Sequence, residues 1–393
     1  MRVLMVSDVY FPRVNGVSTS IETFRRTLSA QGVDVSLVVP RYGDEPDEEG
    51  IVRVAGRPIP GDREDRLVGW QAMHRAVLDE AEECDLIHVQ TPFVAHYAGL
   101  KAGRSLGIPV VATYHTLFEE YLQHYARFVP AGWLKGLARR FSRRQCNDLD
   151  AVIVPSTAMR QRLESYGVTA PRHVLPTGIP LGQFARGNGM AFRLKHGIAE
   201  DRPMALFVGR VAHEKNIAFL LDALLDARKH CPEVLLVIAG EGPAMGDLQA
   251  KVAQLGLQPS VSFIGYLDRR QELPDCYAAA DVFVFASRTE TQGLVLLEAM
   301  AASVPVIALA EMGTVDILAP GRGAFSPPAD THAFGEALGH FLSRPTAWRH
   351  LADEAPIYAR EWSDAAMAER LAGLYRNLLA PRFVPENPLG AAI

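Results

Sequence analysis

The pattern that most limits the fold is a series of short, continuously apolar, β-branched runs that occurs twice along the chain. RVLMVS (2–7), VDVSLVVP (33–40), LIHVQ (86–90), PVVATYH (109–115) and AVIVPS (151–156) make the first series. MALFVGR (204–210), VLLVIAG (234–240), VSFIGY (261–266), DVFVFAS (281–287) and VPVIAL (304–309) make the second. Runs that are apolar throughout, instead of alternating, read as strands of a parallel sheet covered on both faces. Longer helical patterns separate them, among them SIETFRRTLSAQG, ending on Gly32, and FVAHYAGLKAGRSLG, ending on Gly107. Two consecutive βα series predict an α/β chain of two doubly wound, Rossmann-like domains, and 393 residues suit two cores. The stretch LPTGIPLGQF (175–184), rich in Pro and Gly, lies between the series and sets the boundary at 178/179. In such sheets ligands bind beyond the carboxyl ends of the strands, so the loops there carry the functional question.

Composition removes several classes of function. A net charge of −5, with 21 basic and 21 acidic residues in 1–180, gives no support to nucleic-acid binding. Cys84, Cys146, Cys231 and Cys276 are scattered without C-x-x-C spacing, which predicts neither a disulfide framework nor a metal site. The chain opens on a strand, with no signal-peptide pattern and no run of 18 apolar residues, so a cytoplasmic protein with reduced thiols is expected and any membrane contact should be peripheral.

Three loops favour anions. DVYFPRVNGVSTSIETF places Asn15 and Gly16 before a helix start, where glycine lets a ligand approach and free amides attract phosphate; an ordinary capped βα turn is the alternative. GRVAHEKN sets Arg210 and Lys215 just past a strand end, a pair suited to a diphosphate or, equally, to a solvated loop. SRTETQGLVLLEAMAAS (287–303) offers a third helix start at Thr291, Gln292, Gly293, Leu294 and Val295, with Glu290 and Glu298 on either side. In one continuous helix these glutamates would point about 80° apart. A loop position for Glu290, with Glu298 two turns inside the helix, would let both address one ligand; otherwise they are a loop residue and a solvated helix position.

The segments VGRVAHEKNI, FIGYL, YAAADVFVFASRTETQGLVLLEAMAASVPVIA and TYHT resemble the retaining glycosyltransferases of family 4, over nearly the full chain. That resemblance implies the two-domain GT-B fold, with EWSDAAMAERLAGLYRNLL forming a last helix that returns to the first domain, so that 363–393 joins 1–178 and the nucleotide-sugar domain spans 179–362. It implies that Glu290 contacts donor-sugar hydroxyls, Glu298 the ribose, and Ile264 the base. Arg210 and Lys215 would neutralise the diphosphate, Gly16 would let it approach, and His115 in TYHT would be the active-site histidine beside the sugar. Transfer would retain configuration, with the leaving phosphate accepting the acceptor's proton, and would need neither metal nor cofactor. EMGTVDIL (311–318) departs from the family pattern and is assigned no role.

Asp148-Leu149-Asp150 looks like a metal-binding D-x-D but precedes a strand, so it reads as a helix exit; GEGPAMG (240–246) reads as a strand-to-helix turn near the base. Residues 121–145 hold six Lys/Arg and no acid, with Trp133, Leu134, Leu137 and Phe141 interleaved. Lys135, Arg139, Arg140, Arg143 and Arg144 on such a helix suit an anionic membrane surface, or form the solvated face of a core helix. TYHTLFEEYLQHY is similar to members that glycosylate diacylglycerol, which makes a hexose transfer from a UDP-sugar (GDP-mannose being the other donor) to a membrane lipid the leading expectation. The alternatives are a soluble, polysaccharide or lipopolysaccharide acceptor, and a GT-B epimerase or sugar-nucleotide binding protein.

Overall fold

The computed structural model describes residues 1–59, 62–115 and 131–380. The first sheet has eight strands: β1 (Arg2–Val6), β2 (Asp34–Arg41), β3 (Ile51–Ile59), β4 (Asp62–Val68), β5 (Leu86–Val89), β6 (Val110–Thr113), β7 (Ala151–Val154) and β8 (Arg172–Val174). Their order is β4-β3-β2-β1-β5-β6-β7-β8, parallel except for the antiparallel β3–β4 pair. The second sheet is parallel throughout and runs β11 (Val261–Gly265), β10 (Leu235–Ala239), β9 (Met204–Val208), β12 (Val282–Phe285), β13 (Val306–Ala308) and β14 (Ala324–Phe325). In each sheet the strand order reverses beside the first strand, between β1 and β5 and between β9 and β12, and such switch points are where ligand crevices form.

The ten expected strands are present; β3, β4, β8 and β14 are additional. Physical reasons separate three of them from the ten. β4 is DREDRLV, an edge strand with charges at five of its seven positions, so no apolar run marks it. β8 and β14 are three and two residues long, too short to show periodicity.

The first sheet is covered on both faces. Met73, Val77, Ala95, Leu100 and Met159 fill one core; Ile21, Phe24 and Leu28 fill the other together with Met367, Leu371 and Tyr375 of the helix Asp364–Leu379. That helix starts on Ser363, whose side chain accepts from the amide of Ala366, and it is pinned where the Tyr375 hydroxyl meets Nδ1 of His88 at 2.6 Å. Nε2 of His88 in turn meets Thr113 Oγ1 at 2.7 Å. The two chain crossings between the sheets lie side by side: Ile179 donates to Trp362 O and Asp364 donates to Ile179 O, each at 3.0 Å. A Cβ on Gly178 would stand 2.6 Å from Ser363 O, so this crossing needs glycine's bare backbone. Among the described residues no helix is long and apolar enough to cross a membrane.

Candidate active site

Three loops from the two sheets border one cleft of about 510 Å³. From the first sheet comes the turn before the helix Gly16–Leu28. Asn15 caps it, accepting from Ser18 N at 2.9 Å while Asn15 N donates to Ser18 Oγ at 3.2 Å. It is a capped βα turn, and its Gly16 lines the cleft with nothing within 4 Å of where a Cβ would sit. His115, just past β6, borders the same cleft and places Nε2 3.0 Å from Gln90 Oε1. An amide oxygen only accepts, so the proton lies on Nε2 and Nδ1 keeps its lone pair.

The second sheet supplies the charged loops. After β9 the chain passes Arg210 and Lys215; Arg210 pairs with Glu214, and Lys215 with Glu290 of the third loop. GEGPAMG supports this loop from behind. Gly240, at φ 140°, approaches so closely that a Cβ would lie 2.0 Å from Gly209 O. The third loop ends on Gly293, at φ 96°, which opens the helix Leu294–Ala301. Its side chains are held from two directions. Gln292 Oε1 accepts from Thr177 N at 2.9 Å and Nε2 donates to Thr177 O at 2.7 Å, so this side chain serves the interdomain crossing. Gly313 N donates to Glu290 O at 2.8 Å, and a Cβ on Gly313 would meet Thr291 O at 2.1 Å. EMGTVDIL, to which the sequence assigns no role, is therefore the buttress of the Glu290 loop.

Gly16, His115, Arg210, Lys215, Glu290, Thr291, Gln292, Gly293, Leu294 and Val295 thus share the cleft. Other expected site residues lie elsewhere. Glu298 is the fifth residue of its helix, little more than one turn in instead of two, because the helix begins only at Leu294. It is fully buried, accepts from the Tyr277 hydroxyl at 2.9 Å and pairs with Arg269. Burial, and then the Glu298 carboxylate, push the Tyr277 hydroxyl well above its usual pKa. Arg269 was missed; its signal is FIGYLDRR, which puts arginines just past the end of β11. Ile264, within β11, packs half-buried against the core of the second sheet.

The basic helix is Ala131–Asn147. Arg139, Arg140, Arg143 and Arg144 are exposed with Leu137, opposite the buried Ala138, Ser142, Gln145 and Cys146. The side chains of Trp133, Leu134 and Lys135, and residues 116–130 with most of TYHTLFEEYLQHY, lie outside the described residues, as does the end of the expected tail, 381–393. Asp150 accepts from Val110 N at 2.9 Å and Asp148 pairs with Arg104, so D-L-D is a helix exit tied into the sheet.

Beside the cleft, and sharing Asn15, Val17, Thr113 and His115 with it, a second cavity of about 480 Å³ enters the first domain. Its walls are mostly apolar, including Val68, Phe93, Val94, Leu149 and Val152. Asp8 is its half-buried acid, accepting from Thr91 Oγ1 at 2.7 Å and Ala95 N at 3.1 Å. Burial raises the Asp8 carboxyl to about 6 and lowers His88 to about 3, and His96 and His115 to about 4. These histidines are neutral in the fold and protonate on unfolding, so stability falls as pH drops below their ordinary value near 6.5; Asp8 opposes them, holding a proton the unfolded chain releases. Among these four groups, three histidines against one acid give a net uptake of about two protons, or roughly 2–3 kcal/mol lost per pH unit between pH 6 and 5, and His74, His173 and His196, also lowered by burial, act in the same direction. Urea midpoints at pH 7, 6 and 5 check this, and a flat profile would contradict it.

Residues 14–183 match the family described as Glycosyltransferase Family 4, and residues 191–362 that described as Glycosyl transferases group 1. The chain is 37% identical over 322 residues to the alpha-monoglucosyldiacylglycerol synthase of Streptococcus pneumoniae, covering 78% of this chain and 71% of that protein. The chain belongs to glycosyltransferase family 4. This glycosyltransferase is also similar to a GDP-mannose-dependent alpha-mannosyltransferase of Mycobacterium tuberculosis, 28% identical over 95% of this chain and 96% of that one. Its GT-B fold matches that of the Anabaena protein HepE in complex with UDP, with TM-score 0.76 at 18% identity over 96% of this chain and 100% of that one.

Proposed function

We propose that this enzyme moves a hexose from a UDP-sugar to a membrane lipid such as diacylglycerol, with retention of configuration and without a metal. The observation that carries this reading is the apolar cavity meeting the charged cleft at His115: one side suits a diphosphate sugar, the other an acyl-bearing alcohol. The similarity to a monoglucosyldiacylglycerol synthase supports the same pairing.

In this reading the bond between the anomeric carbon and the β-phosphate oxygen breaks while the acceptor oxygen attacks from the same face. The acceptor's proton passes to the departing phosphate. Charge developing there is met by Arg210, Lys215 and the amides opening the helix Leu294–Ala301, which are fixed before reaction and need no reorganisation. Glu290, oriented by Lys215 and by the Gly313 buttress, receives sugar hydroxyls, and His115 Nδ1 is a further acceptor beside them. Glu298 serves the ribose by exchanging part of its bond with Arg269 for ribose hydroxyls, and Arg269 stays in place as the counter-charge.

The membrane is met by the exposed arginine face of Ala131–Asn147. Beside it Trp70 and Tyr97, both more than 40% exposed, stand with Lys101, Arg104 and Arg144 around a shallow groove, the aromatic-and-cation mixture of an interfacial surface. Leu67 and Phe93, exposed at the cavity, give an acyl chain its way in. The enzyme then works as a peripheral protein at the cytoplasmic face.

A donor screen tests the whole reading: UDP- and GDP-sugars offered with diacylglycerol vesicles or with soluble sugars, products read by mass spectrometry. A glycosylated lipid formed from a UDP-hexose, undiminished by EDTA, is expected. Exclusive transfer to soluble acceptors, or abolition by the chelator, would overturn it. The two glutamates should also separate. Glu290→Gln is expected to lower turnover with UDP affinity kept, whereas Glu298→Ala weakens UDP binding and, by stranding Arg269, costs on the order of 3 kcal/mol of stability. Calorimetry with UDP and thermal melts distinguish them; equal loss of affinity in both variants would end this division of labour.

A further inference from the structure

We propose that the helices Ile217–His230 and Thr331–Ser343 hold one divalent transition-metal ion between them, on His230, Glu336 and His340. This site lies away from the cleft: His230 ends a helix that starts just after Lys215, so about 20 Å of helix separates them.

The sequence builds two facing stripes. Thr331–Ser343 carries His332, Glu336 and His340 at four-residue steps, and Ile217–His230 carries Asp226 and His230 at the same step, so each set lies along one side of its helix. Glycines bring the stripes together. A Cβ on Gly335 would stand 2.3 Å from Ala223 O, and one on Gly339 2.8 Å from Ala227 O, so the two backbones touch where larger residues would hold them apart. Each glycine immediately precedes a donor, Glu336 or His340.

The donors converge. Nε2 of His230 lies 2.8 Å from Glu336 Oε1, Nε2 of His340 lies 3.7 Å from Oε2 of the same carboxylate, and all three donor groups fall within 4.8 Å. The two imidazole rings rest against each other at 4.2 Å between centroids. A tetrahedral ion with bonds near 2.1 Å spaces its ligands about 3.4 Å apart, so small side-chain rotations admit it. Two imidazoles and one carboxylate suit zinc and its neighbours; calcium and magnesium prefer all-oxygen shells. Each group is about one-third exposed, which leaves the fourth position to water. Asp226 with His332, 3.3 Å apart, stands alongside and shares Glu336 as a neighbour. The ion would staple these two helices to each other, without entering transfer.

The test uses full-length protein without a histidine tag, stripped with chelator, and titrated with Zn²⁺ by calorimetry and with Co²⁺ by visible absorption. One equivalent should bind, with a tetrahedral cobalt spectrum, and at a hundredfold excess over the dissociation constant the melting equilibrium should shift about a hundredfold toward the fold. Mg²⁺ should do nothing. His230→Ala and His340→Ala should each weaken binding at least tenfold, while His350→Ala, an exposed histidine elsewhere, should bind like wild type. Where an alanine variant folds poorly, Glu336→Gln keeps the side chain's shape and should still lose the cobalt spectrum. Substoichiometric binding, or affinity unchanged by these substitutions, would overturn the site. Transfer activity should persist in the stripped enzyme, so this result stands apart from the donor screen.

Discussion

Lys215→Ala should lower turnover by about 10²–10³-fold, because it removes a fixed cation aimed at the leaving phosphate. The loss should exceed that of Arg210→Ala. Lys215 is largely shielded and holds Glu290, so its removal also leaves a carboxylate unopposed beside developing negative charge, whereas Arg210 is exposed and already paired with Glu214. Single-turnover rates, set against UDP affinity, separate the effect on chemistry from the effect on binding. Turnover within about threefold of wild type for Lys215→Ala would remove this residue from the phosphate's environment.

The second large effect is expected at the membrane. Replacing Arg139, Arg140, Arg143 and Arg144 together with Ser takes four exposed charges from one helix face. At about 1 kcal/mol for each cation near an anionic surface, vesicle affinity should fall about a thousandfold. UDP binding should be unchanged, since these side chains lie off the cleft. The measurement is co-sedimentation with anionic and neutral vesicles at low and high salt; the wild-type signal should fade with salt, because the attraction fades beyond a Debye length of about 10 Å at 0.1 M. Equal sedimentation of both proteins would make the helix a core element with a solvated face.

Much of the architecture was legible because buried parallel strands carry apolar residues on both faces. Three of the four edges were not, since β4 is mostly charged residues and β8 and β14 are three and two residues long; only the edge β11 showed as an apolar run. At the site, loops after strand ends announced themselves through glycine, arginine and lysine. What stayed hidden were partnerships between distant segments: Arg269 with Glu298, Gln292 with Thr177, Gly313 beneath Glu290. Sequence spacing gives a residue's face but not which remote chain arrives opposite it. The histidine–carboxylate cluster illustrates the same limit, because its donors come from helices about a hundred residues apart.

The returning helix has a consequence for the order in which the molecule is made. One of the two cores of the first sheet contains Met367, Leu371 and Tyr375, and the second sheet's core is assembled almost wholly from 179–359. A chain emerging from the ribosome therefore delivers everything the second domain needs before it delivers the last wall of the first. The domain synthesised first is the last to be completed, and until residue 375 is out its apolar surface around Ile21 and Phe24 waits uncovered. A stalled or truncated chain would present a finished second domain attached to an open first one, and the surface left bare is where such a fragment would stick to its neighbours.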